Sequence, residues 1–230
     1  MNAREQILSR IRDALRRTAH RPRVHGAQPL PEGGPKFDFQ PILPAVGASF
    51  EERRAQFAAN SRELKTDFVW LPNPADLENT LIGLRDRDGW KNVGAHSGQL
   101  ADRAVRALAL PTVRTDQPYD VAALERCDAG ISECDALVAQ PGSVVVSSRG
   151  GGGRALSVLP PHHVVLARQE QLVGGLPEAF ALLERRYGAD YPSMLSFITG
   201  PSRTGDIERI LVLGAHGPRH LTVICVADGK

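Results

Sequence analysis

The chain has 230 residues, 42% hydrophobic and 23% charged, with a formal charge of +2 at neutral pH. These proportions are ordinary for a soluble globular protein, and the charge supplies no general drive toward nucleic acid, so no nucleic-acid partner is expected. No run of about 18 apolar residues and no signal-peptide core follows Met1, which argues against a membrane span and secretion and sets the expectation of a cytoplasmic protein.

In chain order, "NAREQILSRIRDALRR" (Asn2 to Arg17) predicts a helix, with Ile7, Leu8, Ile11 and Leu15 on one stripe and Asn2 able to cap. Arg4, Arg10, Arg12, Arg16 and Arg17 cover its other faces, so the helix suits either packing on its own body or docking on a partner chain. Between His20 and Gly47 stand six prolines, the composition of an extended tether. Residues 1–48 therefore form an arm of basic helix and proline-rich tether. The body, residues 49–230, begins where Ser49 and Glu52 take capping-box spacing.

"FVWL" (Phe68 to Leu71) predicts a short buried strand. A helix follows with Asn73 as cap, Pro74 as its first residue, and Leu77, Leu81 and Leu84 facing inward. "NVGAHS", a helix from about Gln99 to Leu108, and "TVRT" continue an alternation that predicts a mostly parallel sheet covered on both faces. The rhythm then changes. Asp135–Gln140, Ser143–Ser148 and His163–Ala167 are strand-like runs without a long helix between them, and Pro141-Gly142 marks a hairpin or a kink. "LPEAFALLERRYG" returns to helix, "SFIT" is a strand, and "HLTVICV" (His220 to Val226) closes the sheet. The fold class is α/β: one three-layer domain with a mostly parallel sheet, an antiparallel element in its second half and an N-terminal helical arm.

Three loops carry candidate chemistry. In "GPSRTGDIE", an apolar strand stops at Gly200, and Ser202 or Thr204 is placed to cap a helix containing Asp206 and Glu208. The same stretch would also serve as an anion cradle, because helix N-termini offer free amides and Arg203 suits carboxylate or phosphate. The second loop, "SSRGGGGRALSVLPPHH", sets four glycines, Gly150 to Gly153, between Arg149 and Arg154. It lacks the lysine of a Walker loop and the G-x-G-x-x-G spacing, leaving a mobile surface loop or an anion-responsive lid. In the third, Gln140 ends an apolar strand ahead of Pro-Gly. It suits a functional side chain or an amide that satisfies the turn backbone.

Cys127, Cys134 and Cys225 are too few and too scattered for a disulfide framework or an iron–sulfur cluster. Free buried thiols in a reducing compartment are expected. No H-x-x-x-H or His/carboxylate cluster points to a metal, so none is expected in this chain.

"GPSRTGDIERILVLGAHGPRHLTVICV" strongly resembles the C-terminal signature of the lactate-utilisation protein C family, which bears the LUD domain. "ISECDALVAQPGSVVVSS" and "GRALSVLPPHHVVL" are similar to that family's middle segments, so the resemblance covers nearly the whole chain. It implies a fold similar to the glucosamine-6-phosphate deaminase, ribose-5-phosphate isomerase and CoA-transferase superfamily. It also implies a part in oxidising L-lactate to pyruvate beside partner subunits that carry the iron–sulfur clusters, with no cofactor in this chain. The resemblance raises the expectation that Ser202, Arg203 and Thr204 face a site for a small anion or cofactor fragment shared with the glycine loop. The candidate ligand-binding residues are Gln140, Gly151, Gly152, Arg154, His163, Gly200, Ser202, Arg203 and Thr204; no catalytic residue is assigned. Where the family usually shows A-E-T-G, this chain has Ala139-Gln140-Pro141-Gly142. An amide cannot act as the carboxylate nucleophile of a CoA transferase, so covalent CoA transfer at Gln140 is not expected. The alternative reading is a stand-alone enzyme acting on a phosphorylated or CoA-linked metabolite.

Overall fold

The structure is a computed structural model that describes residues 3–16, 44–204, 212–214 and 216–228. It divides into two units, Met1–Leu43 and Pro44–Lys230. In the first, the described segment is helix α1 (Ala3–Arg16).

The second unit begins with α2 (Phe50–Glu63), whose capping box is formed in full. The Ser49 side chain accepts from the Glu52 N–H, and the Glu52 carboxylate accepts from the Ser49 N–H. Then come β1 (Asp67–Leu71), α3 (Leu77–Asp88), β2 (Val93–Ala95), α4 (Gln99–Leu108), β3 (Thr112–Arg114), α5 (Val121–Glu125) and β4 (Ala129–Glu133). The second half supplies β5 (Ala136–Val138), β6 (Ser143–Ser147), the single-turn α6 (Gly153–Leu156), β7 (His162–Arg168) and β8 (Leu172–Val173). After them run α7 (Leu176–Tyr187), β9 (Leu195–Ile198), β10 (Arg203–Thr204), β11 (Val212–Leu213) and β12 (His220–Val226).

Six strands form a parallel sheet in the order β1-β12-β7-β4-β2-β3. Both faces are covered, as the βα alternation predicts. On one face α3 and α4 lay Leu77, Leu81, Leu84, Leu100 and Leu108 against Ile131, Val164, Leu166 and Ile224. On the other, Val165, Ala167, Val223 and Cys225 meet Phe57 of α2 and Leu137, Val144 and Val146 of a second sheet. This second sheet, ordered β8-β5-β6-β9, is where the antiparallel element falls. Pro141-Gly142 turns β5 into β6, Gly142 taking φ +66°, and Asn60 of α2 donates to the Ala139 and Gln140 carbonyls at 2.9 and 2.8 Å. α7 covers its outer face through Ala179 and Leu183.

The middle runs divide: the run from His163 joins the parallel sheet as β7, while β5 and β6 pair with each other and with β8 and β9 in the sheet packed on it. "HLTVICV" closes the sheet from its interior, running between β1 and β7, which matches a strand buried at every position from Leu221 to Val226.

Candidate functional site

Beyond the carboxyl ends of β2, β4 and β7 lies a cleft of about 370 Å³, lined by Ser97 and Gly98, Glu133 to Asp135, Arg168, Glu170 and Gln171, Arg149 and Gly150, and Arg186 and Tyr187. This is where an open α/β sheet places its ligands, because the strands end together and helix N-termini point into the gap. Here the first turn of α4 is already occupied. Glu133 Oε1 accepts from the Leu100 and Ala101 N–H groups at 2.7 and 3.1 Å. A side chain at Gly98 would collide with that carboxylate. The cationic group left over is Arg168. Its Nη2 donates to Gln99 Oε1 at 2.8 Å, and among the described residues no carboxylate pairs with it.

The cleft floor is a buried polar network. Asp135 is 2% exposed, and its Oδ1 accepts from Arg186 Nη1 and from the Tyr187 hydroxyl, both at 2.6 Å. With that proton committed, the Ser147 hydroxyl donates to the Tyr187 oxygen (2.9 Å) and accepts from the Gly150 N–H (3.1 Å). Burial, followed by the Asp135 hydrogen bond, holds the Tyr187 phenol above its usual range. Asp135 Oδ2 is buried and has no partner among the described residues. Burial raises the neighbouring Cys134 thiol well above its ordinary value, so it presents no reactive thiolate.

The glycine loop is docked rather than a loose surface loop. Gly151 and Gly152 are buried. Gly152 takes φ +80°, and a Cβ there would run into Leu156, His96 and Thr115. His96 clasps the loop, its Nε2 3.1 Å from the Arg149 carbonyl and its Nδ1 3.1 Å from Thr115 Oγ1. Arg149 pairs with Asp190 at 2.6 Å and lies over the Tyr187 ring. Arg154 turns away and donates to the Ser193 carbonyl at 2.8 Å.

The other predicted residues sit elsewhere. β6 and β9 are antiparallel, with the glycine-loop end marked by Ser148 N–H to Met194 O (3.0 Å) and the far end by Ser143 Oγ to Thr199 Oγ1 (2.6 Å). Gly200 to Thr204 follow the far end, away from the four glycines, while Ser157, Val158 and His163 from the tail of the same glycine-rich segment line one cavity with Gly200 and Ser202. Ser202 makes strand-like bonds, its N–H to Pro218 O and its carbonyl from Gly214 N–H, both 2.9 Å. Arg203 and Thr204 pair with Leu213 and Val212. The expected cap position is therefore ribbon; Asp206 and Glu208 lie outside the described residues. The Arg203 guanidinium donates to the Leu64 carbonyl. Gly200, Ser202 and His163 line a separate cavity where β7 and β12 begin. Gln140 spends its amide on the Pro44 carbonyl at 2.6 Å, the bland role allowed for it, though the backbone satisfied is not that of the turn.

Sequence reasoning passed over Arg168, Asp135 and Tyr187. Arg168 was within reach: it is the polar end of an apolar strand, the same signal that singled out Gln140. Among the described residues no group of three or more His, Cys, Asp or Glu side chains could hold a metal ion, and no helix is long and apolar enough to cross a membrane.

A parallel α/β sheet with its cleft beyond the strand ends defines the class. Within it, the LUD-domain family model matches residues 99–226. The lactate utilization protein C of Shouchella clausii is 34% identical over 172 residues, 72% of this chain and 75% of that protein. Its Geobacillus kaustophilus namesake is 36% identical over 111 residues, a match that spans 46% of that relative's length. A solved DUF162-family protein from Deinococcus radiodurans superposes with a TM-score of 0.61 at 22% identity, covering 78% of this chain and 99% of its own, a likeness of fold. The chain belongs to the LUD-domain family.

Proposed function

We propose that this chain serves lactate utilisation as a subunit without a metal of its own, working beside iron–sulfur partners that oxidise L-lactate to pyruvate, and that its carboxyl-end cleft holds a small anion. The observation that carries the first part is the match to lactate utilization protein C over about three quarters of both chains. The anion is supported by Arg168, a guanidinium at the strand ends with no carboxylate partner among the described residues. Charge-assisted hydrogen bonds from such a group to a carboxylate or phosphate contribute on the order of 1.5–3 kcal/mol each. The cysteine count supports placing any clusters in the partners: the chain has three cysteines, and a cluster takes four thiolate ligands. Gln140, an amide bound to the Pro44 carbonyl, suits a holding role better than covalent transfer.

The test is deletion of the gene followed by growth on L-lactate as sole carbon source, with co-purification of cluster-bearing partners. Normal growth of the deletion strain would overturn the reading. The buried Asp135–Tyr187 pair favours a second one, a stand-alone enzyme on a phosphorylated or CoA-linked metabolite. Turnover by the lone chain is the result that would select it.

A further inference from the structure

A site that holds a phosphate dianion surrounds it with donors: a helix N-terminus, glycine-loop amides and more than one cation. At the carboxyl-end cleft most of these are already committed. The α4 N-terminus is filled by Glu133, whose Oε1 accepts from the Leu100 and Ala101 N–H groups. In the glycine loop the Gly150 N–H goes to Ser147 Oγ and the Gly151 N–H to the Ser147 carbonyl. Gln171 is used at both ends: its Oε1 accepts from the Arg168 N–H at 2.7 Å, and its Nε2 donates to the Cys134 carbonyl at 2.5 Å. The Tyr187 hydroxyl donates to Asp135.

The charges of the lining balance as well. Arg149, Arg168 and Arg186 stand against Glu133, Asp135 and Glu170. Arg186 is held by Asp135, and Arg149 by Asp190. Arg168 gives an N–H of its fork to the Gln99 amide, and among the described residues no carboxylate pairs with it. A ligand with one negative charge finds that fork. A second charge would meet the Glu133 and Glu170 carboxylates with no further unpaired cation in the lining to offset them. We propose that the cleft takes a monocarboxylate rather than a phosphorylated ligand, its two oxygens held by the Arg168 fork; this rests on the anion reading of the cleft given above. A planar carboxylate matches a guanidinium through both its oxygens, whereas the third oxygen of a phosphate would need a donor that the cleft has spent elsewhere.

Propionate and methyl phosphate are the probes, both small and unlike in charge: at about pH 7.5 the first is a monoanion and the second mainly a dianion. Each is titrated into the full chain while the backbone amide resonances of Arg168 to Gln171 are followed by NMR. Propionate shifts these signals in a saturable way, and methyl phosphate binds about tenfold more weakly or worse. Arg168→Lys, which keeps the charge and loses the fork, weakens propionate about fivefold or more, the loss of one hydrogen bond. Methyl phosphate binding within about tenfold of propionate, or undiminished propionate affinity in Arg168→Lys, overturns this proposal and leaves the anion site standing. Signals unmoved by either probe at tens of millimolar overturn both. The comparison of probes is read on the unaltered protein and stands even where the variant fails to fold.

Discussion

Two arginines, one ending β7 and one opening β10, separate what the signature suggested from what the fold offers. Arg203 is spent on the Leu64 carbonyl, whereas Arg168 at the strand ends meets only the Gln99 amide. Arg168→Ala is expected to weaken carboxylate or phosphate binding about tenfold or more by calorimetry, with the melting temperature almost unmoved. Arg203→Ala is expected to leave that affinity intact. The histidines at the start of β7 give a pH signature. His163 is lowered to about 3 and His162 to about 4, burial being the main cause for both, against 6.5 for an ordinary histidine. Below 6.5 the unfolded chain binds protons that the folded one refuses, so stability falls as pH drops from 6.5 toward 3 and does not fall further on their account below it. The slope reaches at most about 1.4 kcal/mol per pH unit for each histidine. Urea melts of wild type and His163→Phe between pH 4 and pH 7 check this, the variant giving the flatter curve.

Elements whose signal is local were legible. Helix α4 runs from Gln99 to Leu108 as its apolar spacing foretells, and the Ser49–Glu52 box starts α2 where both bonds are made. Beyond the β5–β6 hairpin pairing was not legible, because "DALVAQ" and "SVVVSS" are apolar enough to join either sheet and their other partners, β8 and β9, lie far along the chain. The glycine run was visible as permissive backbone; that its centre would be buried under His96 was not, since nothing near His96 in sequence points to residue 149. Nor could composition place Gly200 and Gly151 at opposite ends of one antiparallel pair. The docked loop is a testable element. Gly152→Ala adds a Cβ at φ +80° against Leu156, His96 and Thr115. It is expected to cost roughly 1–3 kcal/mol in urea melts and to weaken anion binding as well. Gly150→Ala, whose Cβ would lie 3.7 Å from Ser147 Oγ, is the mild control.

At the scale of the whole molecule, the edge of the folded unit can be set by hydrogen bonds rather than by proline content. Pro44 O receives the Gln140 amide, Ala45 O the Gln56 amide, and Gly47 O the Arg53 guanidinium. A chain lacking residues 1–43 is therefore expected to keep its cooperative melt. Removing residues 1–48 takes these acceptors too and is expected to lower the melting temperature by several degrees, at about 2–4 °C per kcal/mol for this size. Differential scanning calorimetry of the two truncations checks both. The position of β12 has a temporal consequence. Its residues are made more than 150 residues after those of β1 (Asp67 faces Thr222), yet they bridge β1 to β7. Until the ribosome has released that stretch, β1 has no neighbour and β7 keeps an open apolar edge. The nascent chain thus waits, incomplete and sticky, for its final strand. During that wait it is expected to lean on chaperones and to be most prone to self-association.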